Sequence, residues 1–208
     1  MSRTIHDIMH TAPVIPVLTI ERLDTAVPLA RALLEGGLPV LEITLRTPVA
    51  LEAIGRIKAA FPQAITGAGT VIDTRTLDQA LAAGADFIVS PGATPALLKA
   101  ALQSGVPFLP GVNSPSEIMQ ALDYGLQALK FFPAEAAGGI AMLKAFAAPL
   151  PQALFCPTGG ISAATAPAYL ALPNVACVGG SWMATPTLID AADWQGIRTL
   201  AAAAATLK

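Results

Sequence analysis

The chain has 208 residues, of which 54% are hydrophobic and only 12% are charged, with a formal net charge of -2. Soluble domains carry roughly 25% charged residues, so this composition indicates an extensive core and leaves part of the surface for a subunit contact. The 12 Lys and Arg residues form no basic cluster, which argues against a nucleic-acid partner and against an anionic membrane surface.

No apolar run reaches the roughly 20 residues that a membrane-spanning helix needs, and residues 1–13 lack the apolar segment of a signal peptide. We therefore expect a cytoplasmic protein with no membrane partner. Cys156 and Cys177 fall in apolar, strand-like runs, which predicts buried reduced thiols rather than a disulfide or a metal site. His6 and His10, spaced i, i+4 on a possible helix, could bind a metal, but no other cluster of ligands lies nearby, so we expect no metal site there.

One unit recurs along the chain: a short apolar run rich in Val, Ile or Phe, a turn, and a helical stretch rich in Ala and Leu. The predicted helices begin at Thr, Asp or Ser, and several end at Gly, as helix capping requires. Strands that alternate with helices at this spacing are typical of repeated βαβ units and a parallel sheet. The predicted strands are 14–19, 39–46, 64–71, 86–92, 107–112, 128–133, 154–160 and 175–181.

Eight such runs, without a second zone of composition, predict a single domain over residues 1–208. The expected fold is α/β, a (β/α)8 TIM barrel rather than an open doubly wound sheet. Residues 2–10 predict an extra N-terminal helix that could cover the floor of the barrel, and the alanine-rich tail predicts the last helix.

Two ionisable residues, Glu42 and Lys130, lie inside the apolar strands, apart from Arg46 and Asp86 at strand ends. An unpartnered buried ammonium is costly, so Lys130 needs a partner or a chemical task. One interpretation is a buried ion pair of Glu42 with Lys130 or Arg46, which would add little stability. The other is a catalytic Lys130, whose uncharged amine is favoured by burial and a cationic neighbour and attacks a carbonyl to form a Schiff base.

Glycine pairs follow the last two predicted strands, Gly159–Gly160 and then Gly179–Gly180 with Ser181 after it. Such turns let backbone N–H groups approach an anion, and barrels commonly hold phosphate at these two loops. Tight turn geometry alone is the plainer alternative. Arg46 offers a planar fork for a carboxylate, and Thr70 offers a hydroxyl. Together these residues predict a phosphorylated 2-oxo acid as the small-molecule partner.

The segments PVLEITLRT, GAGTV, SPG, LKFFPAE, CPTGGI and GGSW occur in this order. With them the chain resembles the bacterial 2-keto-3-deoxy-6-phosphogluconate (KDPG) aldolases, which also act as 4-hydroxy-2-oxoglutarate aldolases. The resemblance extends from about Pro13 to Trp182. It implies a TIM barrel, usually a homotrimer, and class I aldolase chemistry without a metal or another cofactor.

Carried over by position, the resemblance makes Lys130 the Schiff-base lysine and Glu42 the residue that transfers protons through water. The other implied residues bind substrate: Arg46 and Thr70 at the pyruvyl carboxylate, Gly159, Gly160 and Ser181 at the phosphate, Thr158 at the aldehyde-derived part, Gly180 beside them, and Pro91 and Phe132 as pocket walls.

The predicted reaction is the reversible cleavage of 2-dehydro-3-deoxy-6-phosphogluconate to pyruvate and glyceraldehyde 3-phosphate, a step of the Entner–Doudoroff pathway. Cleavage of 4-hydroxy-2-oxoglutarate to pyruvate and glyoxylate is expected as well. Three alternatives stay open: a 2-dehydro-3-deoxy-6-phosphogalactonate aldolase, a phosphate-binding barrel isomerase or epimerase that uses Glu42 without a covalent imine, and a non-catalytic phosphosugar sensor. The sensor does not account for an interior lysine beside a glutamate.

Overall fold

A computed structural model describes residues 3–207, which form an α/β structure. The predicted domain also includes residues 1, 2 and 208, which lie outside the described residues. Its strands are β1 (Val14–Leu18), β2 (Val40–Thr44), β3 (Ile65–Gly69), β4 (Phe87–Val89), β5 (Phe108–Leu109), β6 (Gly111–Val112), β7 (Ala128–Phe131), β8 (Leu154–Pro157) and β9 (Val178–Gly180). Its helices are α1 (Ile5–Met9), α2 (Ala26–Glu35), α3 (Ala50–Ala60), α4 (Thr74–Ala82), α5 (Pro95–Ser104), α6 (Pro115–Asp123), α7 (Gly139–Ala147), α8 (Ala166–Leu170), α9 (Pro186–Asp190) and α10 (Trp194–Ala205), with a 3-10 turn at Leu23–Thr25.

The strands form a curled, parallel arrangement, as the alternation of strands and helices predicted. A six-stranded sheet has the order β5-β4-β3-β2-β1-β9, and a three-stranded sheet has the order β6-β7-β8. Isolated parallel bridges join Phe155 to Val175 and Thr158 to Gly179. Successive parallel strands thus lie side by side, and their carboxyl ends meet at one edge.

The predicted strand 107–112 is divided into β5 and β6 at Pro110. Proline has no N–H to donate to a sheet ladder, which explains the break. The Pro110 carbonyl still accepts a hydrogen bond of 2.8 Å from the backbone N–H of Lys130. The interruption therefore leaves the chain next to β7 in place.

Several helix starts carry the side-chain caps that the sequence predicted, whereas α2, α3, α7 and α8 have none. Asp73 and Ser114 accept hydrogen bonds from the N–H groups three residues later, in capping boxes at α4 and α6. Pro115 occupies the first turn of α6, where its missing N–H costs nothing. Gly105 ends α5 in the left-handed region, at φ +71°. Within residues 3–207, the helices are all too short or too polar to cross a membrane.

Successive residues of a strand face two different cores. Leu129 and Phe131 of β7 belong to a large cluster between the strands and the surrounding helices. Ala128 belongs to a smaller one on the opposite, inner face of the sheet, and Lys130 has the same parity as Ala128. We call the smaller group the inner apolar cluster; its buried members are Ile8, Met9, Ile15, Val40, Ile65, Phe87, Val89, Leu109, Ala128, Cys156 and Cys177.

Helix α1 packs on this inner face near the amino-terminal ends of the strands. Its Ile8 and Met9 are 1% and 0% exposed and pack with Val40 and Ile65, the first residues of β2 and β3. Thr4 and Asp7 cap the helix reciprocally. The predicted N-terminal helix is therefore shorter than 2–10, and its first predicted residue, Ser2, lies outside the described part of the chain.

The two cysteines are buried free thiols, as predicted. A hydrogen bond with Cys156, together with complete burial, raises the pKa of the Cys177 thiol. Burial disfavours the charged thiolate, so both sulfur atoms act here as small apolar groups.

Candidate active site

Lys130 of β7, in the three-stranded sheet, meets Glu42 of β2, in the six-stranded sheet. Lys130 Nζ donates a hydrogen bond of 3.0 Å to Glu42 Oε1, and each side chain is only 4% exposed. A buried charge costs several kcal/mol unless it is paired, so each group accounts for the burial of the other. The structure thus selects Lys130, and not Arg46, as the charged partner of Glu42.

Two glycines make room around this pair. A Cβ added to Gly69, at the end of β3, would collide with the Glu42 carboxylate. Gly111 pairs with Lys130 between neighbouring strands, and a Cβ there would collide with the main chain of Pro91. Pro91 therefore packs behind the strand that borders Lys130.

Phe132 lies beside the lysine. The centroid of its ring is 5.3 Å from Lys130 Nζ, within the range of a cation–π contact. The Phe132 side chain is half-buried and also lines the pocket described below. It therefore connects the ion pair to that pocket.

Arg46 and Thr70 lie together just beyond the ends of β2 and β3. Arg46 Nε donates a hydrogen bond of 3.1 Å to Thr70 Oγ1. Thr70 has φ +61°, a left-handed conformation that is rare for a β-branched residue. Such strain persists where the surroundings enforce it, commonly at functional sites. Within residues 3–207, the terminal guanidinium nitrogens of Arg46 form no hydrogen bond or ion pair, so they can bind an anion.

A pocket of about 140 Å³ opens at the carboxyl ends of the strands. It unites seven of the substrate-binding residues that the resemblance implied, and it adds Val17, Gly179 and Ile161. Lys130, Glu42, Thr70 and Pro91 do not line it directly. The seven are Arg46, Phe132, Thr158, Gly159, Gly160, Gly180 and Ser181.

The turn after β8 has the backbone shape that its glycines predicted. Gly159 has φ +104° and Gly160 has φ +81°, conformations that residues with a Cβ rarely adopt. Thr158 is buried, and a Cβ at Gly179 would collide with its side chain. Gly179 therefore lines the pocket as a member of the glycine pair that the sequence indicated, whereas nothing in the apolar run of β1 indicated Val17.

The pocket and the ion pair combine four kinds of group: a buried amine, a carboxylate in contact with it, a guanidinium, and glycine turns that line the pocket. Within the part of the chain that the structure describes, no three His, Cys, Asp or Glu side chains form a metal-binding group. The arrangement suits nucleophilic attack on a carbonyl carbon, with proton transfer by a neighbouring carboxylate.

Known protein sequences that match this chain belong to aldolases. The family model for KDPG and KHG aldolase matches residues 5–200. The KHG/KDPG aldolase of Escherichia coli (strain K12) is 50% identical over 194 residues, which are 93% of this chain and 91% of that protein. A 2-dehydro-3-deoxy-phosphogluconate aldolase of Zymomonas mobilis is 52% identical over 181 residues, 87% of this chain and 86% of that protein.

Solved structures agree with the sequence matches. The KDPG aldolase of Legionella pneumophila, with pyruvate captured as a covalent carbinolamine, superposes with a TM-score of 0.97 at 48% identity over 99% of this chain and 100% of that one. The Zymomonas mobilis enzyme with 3-phosphoglycerate gives a TM-score of 0.93 at 48% identity, over 100% of this chain and 98% of that one. The chain therefore belongs to the KDPG and KHG aldolase family.

Proposed function

We propose that this chain is a class I aldolase that cleaves 2-dehydro-3-deoxy-6-phosphogluconate to pyruvate and glyceraldehyde 3-phosphate. We extend the proposal to 4-hydroxy-2-oxoglutarate, cleaved to pyruvate and glyoxylate. Relatives that are about 50% identical to this chain are named as KDPG or KHG/KDPG aldolases, and the structure of one of them holds pyruvate as a covalent carbinolamine. The observation that carries the proposal is the contact of 3.0 Å between the buried Lys130 amine and the Glu42 carboxylate.

The first step needs an uncharged amine. Because Glu42 Oε1 accepts directly from Lys130 Nζ, the ammonium can pass one proton to that carboxylate. The free amine then attacks C2 of the substrate ketone to give a carbinolamine. Glu42 returns its proton to the C2 hydroxyl, which leaves as water, and a protonated imine remains on Lys130.

The second step breaks the carbon–carbon bond. Glu42, again a carboxylate, accepts the proton of the C4 hydroxyl through water. The electrons of the C3–C4 bond pass into the imine, which becomes a neutral enamine as the aldehyde leaves. Glu42 protonates the enamine at C3, and hydrolysis releases pyruvate from Lys130. Positioned proton transfer of this kind contributes about 10²–10⁴-fold to a rate.

The remaining groups hold the two ends of the substrate. Arg46, with Thr70 hydrogen-bonded to its Nε, binds the pyruvyl carboxylate, since a guanidinium matches carboxylate geometry. The N–H groups of Gly159 and Gly160, with Gly180 and Ser181 opposite, bind the phosphate. Thr158 faces the aldehyde-derived part of the chain, while Phe132 and Pro91 wall the site. Their common position at one sheet edge supports these roles.

The two sheets, we further propose, form one closed (β/α)8 barrel, with α1 as its floor, in a single domain. The break between β5 and β6 is only Pro110 wide, and parallel bridges connect β8 toward β9, which pairs with β1. A homotrimer fits the exposed Ile72 and Met119, which are 57% and 56% exposed and suit a subunit contact. A cytoplasmic location stays a prediction from composition.

The alternative functions differ in whether the protein forms a covalent adduct with pyruvate and in which C4 epimer it prefers. An isomerase or epimerase that uses Glu42 as a base forms no covalent adduct with pyruvate. A galactonate-type aldolase forms the adduct but prefers the C4 epimer of the substrate. The names of the relatives with about half their residues identical favour the gluconate type.

Incubation with pyruvate and borohydride, followed by intact mass spectrometry, tests the proposal. The wild-type chain should gain one pyruvyl adduct, and Lys130→Ala should gain none. Lys144→Ala, which changes an exposed lysine of α7, serves as the matched control and should react like wild type. Labelling of Lys130→Ala would contradict the assignment. Cleavage assays on both C4 epimers then decide between the two aldolase types.

A further inference from the structure

Glu135 lies between two loops of the candidate site, yet the reaction steps above use neither it nor its partner Tyr169. It belongs to the segment that leads from β7, which carries Lys130, to α7. Tyr169 belongs to α8, the helix that follows the Gly159–Gly160 turn. The two residues thus connect consecutive βα units of the sheet.

The main chain around Glu135 is fixed to the glycine turn. The N–H of Ala134 donates to the carbonyl of Thr158 at 2.8 Å, and the N–H of Glu135 donates to the carbonyl of Gly159 at 3.1 Å. The carbonyl oxygens of Thr158 and Gly159 thus accept hydrogen bonds from the loop that follows β7. The position of the turn therefore depends on the loop that follows the Lys130 strand.

The Glu135 side chain also supports the turn. A Cβ added to Gly160 would lie 2.7 Å from Glu135 Cγ and 2.8 Å from its Cβ, closer than real side chains approach. Gly160 therefore rests directly on the stem of Glu135. A shift of this side chain would leave the turn without support on that side.

Tyr169 fixes the carboxylate end of Glu135. Its hydroxyl donates a hydrogen bond of 2.7 Å to Glu135 Oε1, and its side chain is 1% exposed and held in the large core. Burial, followed by the hydrogen bond and the charge of Glu135, raises the pKa of the Tyr169 phenol. The phenol therefore stays protonated and remains a donor across the neutral pH range.

We propose that Glu135, held by Tyr169, is a positioning residue for the phosphate end of the substrate. It keeps the N–H groups of Gly159 and Gly160 in the arrangement that binds the phosphate. This inference rests on the proposed function, because it assumes a phosphorylated substrate at that turn. A displaced turn would weaken phosphate binding and leave the pyruvyl chemistry at Lys130 intact.

The test compares a ligand that carries phosphate with one that does not. Tyr169→Phe should raise KM for 2-dehydro-3-deoxy-6-phosphogluconate by up to about a hundredfold, because a misplacement of about 1 Å in a positioning group can have an effect of that size. The pyruvate concentration that half-saturates borohydride trapping should stay within about twofold of wild type, because pyruvate does not reach the turn. Tyr124→Phe, the same change at the other tyrosine of the chain, is the matched control and should alter neither value.

A second pair of variants separates positioning from general stability. Glu135 is exposed, so its variants should fold even if Tyr169→Phe does not. Glu135→Ala should raise KM for the phosphorylated substrate like Tyr169→Phe, whereas Glu135→Gln keeps an acceptor oxygen and should restore nearly wild-type KM. An equal change in KM and in pyruvate trapping, or no change in either, would overturn the inference. Absence of an adduct on the wild-type chain would instead contradict the proposed function.

Discussion

The two ends of the inner face of the sheet follow the same strand periodicity but carry opposite chemistry. At the amino ends, residues such as Met9 and Phe87 are 0% exposed and pack in the inner apolar cluster. Toward the carboxyl ends, Lys130 and Glu42 form an ion pair inside the sheet. Alternation decides which residues point inward, and position along the strand decides whether they stabilise the fold or face a ligand. Substitutions at the apolar end should therefore cost stability alone, whereas those at the polar end should cost activity.

The largest effect is expected at the polar end, from Glu42→Gln. Glutamine keeps the shape but cannot accept a proton, so kcat should fall by about 10²–10⁴-fold. Steady-state kinetics measures this loss. The free energy of unfolding should fall too, because Lys130 loses its countercharge.

Glu52→Gln is the matched control for that change. Glu52 pairs with Arg56 at 2.7 Å on the exposed face of α3. Exposed pairs of this spacing contribute only about 0.2–0.5 kcal/mol, so stability and kcat should both stay close to wild type. Equal losses of activity in the two variants would show that Glu42 has no special role.

Met9→Ala tests the apolar end. Met9 is fully buried between α1 and the strand starts, and removing a side chain of this kind costs about 2–5 kcal/mol of unfolding free energy. Chemical denaturation measures the loss. The kcat of the folded fraction should be unchanged, and a parallel fall in kcat would break the separation between the two ends.

Arg46→Lys sharpens the description of the carboxylate site. Lysine keeps the charge but loses the planar fork and the Nε–H that donates to Thr70. We expect KM to rise about tenfold, which corresponds to about 1.4 kcal/mol of binding free energy. The rise should appear for phosphorylated and unphosphorylated substrates alike, because both carry the pyruvyl carboxylate. Arg56→Lys, on an exposed helix face, should leave KM unchanged; a KM effect confined to the phosphorylated substrate would place Arg46 at the phosphate instead.

The smallest effect concerns Cys177 of the inner apolar cluster. The folded structure raises the pKa of its thiol above the unfolded value, so the folded state binds the thiol proton more tightly. Its stabilising contribution is complete below the unfolded pKa of about 8.5 and is lost as the pH rises toward the folded pKa. Denaturation curves between neutral and alkaline pH should show this loss in wild type and less of it in Cys177→Ala. Identical pH dependence in both chains would contradict the assignment.

Sequence patterns could indicate Lys130 and Glu42, because a charge within a strand covered on both faces is conspicuous. The glycine pairs likewise indicated the turns after β8 and at the end of β9. The patterns could not choose between Lys130 and Arg46 as the partner of Glu42, since that choice depends on how β2 and β7, which belong to different sheets, face each other. Nor could they reveal the contact of Glu135 with Tyr169, because it depends on the relative placement of a loop and a helix.

Local rules explain two further differences. Pro110 divides the fifth predicted strand, and its missing N–H could have predicted that break. Thr70 adopts φ +61° although its β-branched side chain disfavours that region. Tertiary contacts such as the one with Arg46 override the local preference there, and no sequence pattern reports them.

The central claim is that the buried amine of Lys130 is the nucleophile. Peptide mapping of the wild-type chain after reaction with pyruvate and borohydride tests it most directly. The account predicts a single pyruvyl adduct, on the peptide that contains Lys130. An adduct on Lys58, Lys99 or Lys144, or no adduct at all under conditions in which the chain cleaves its substrate, would contradict it.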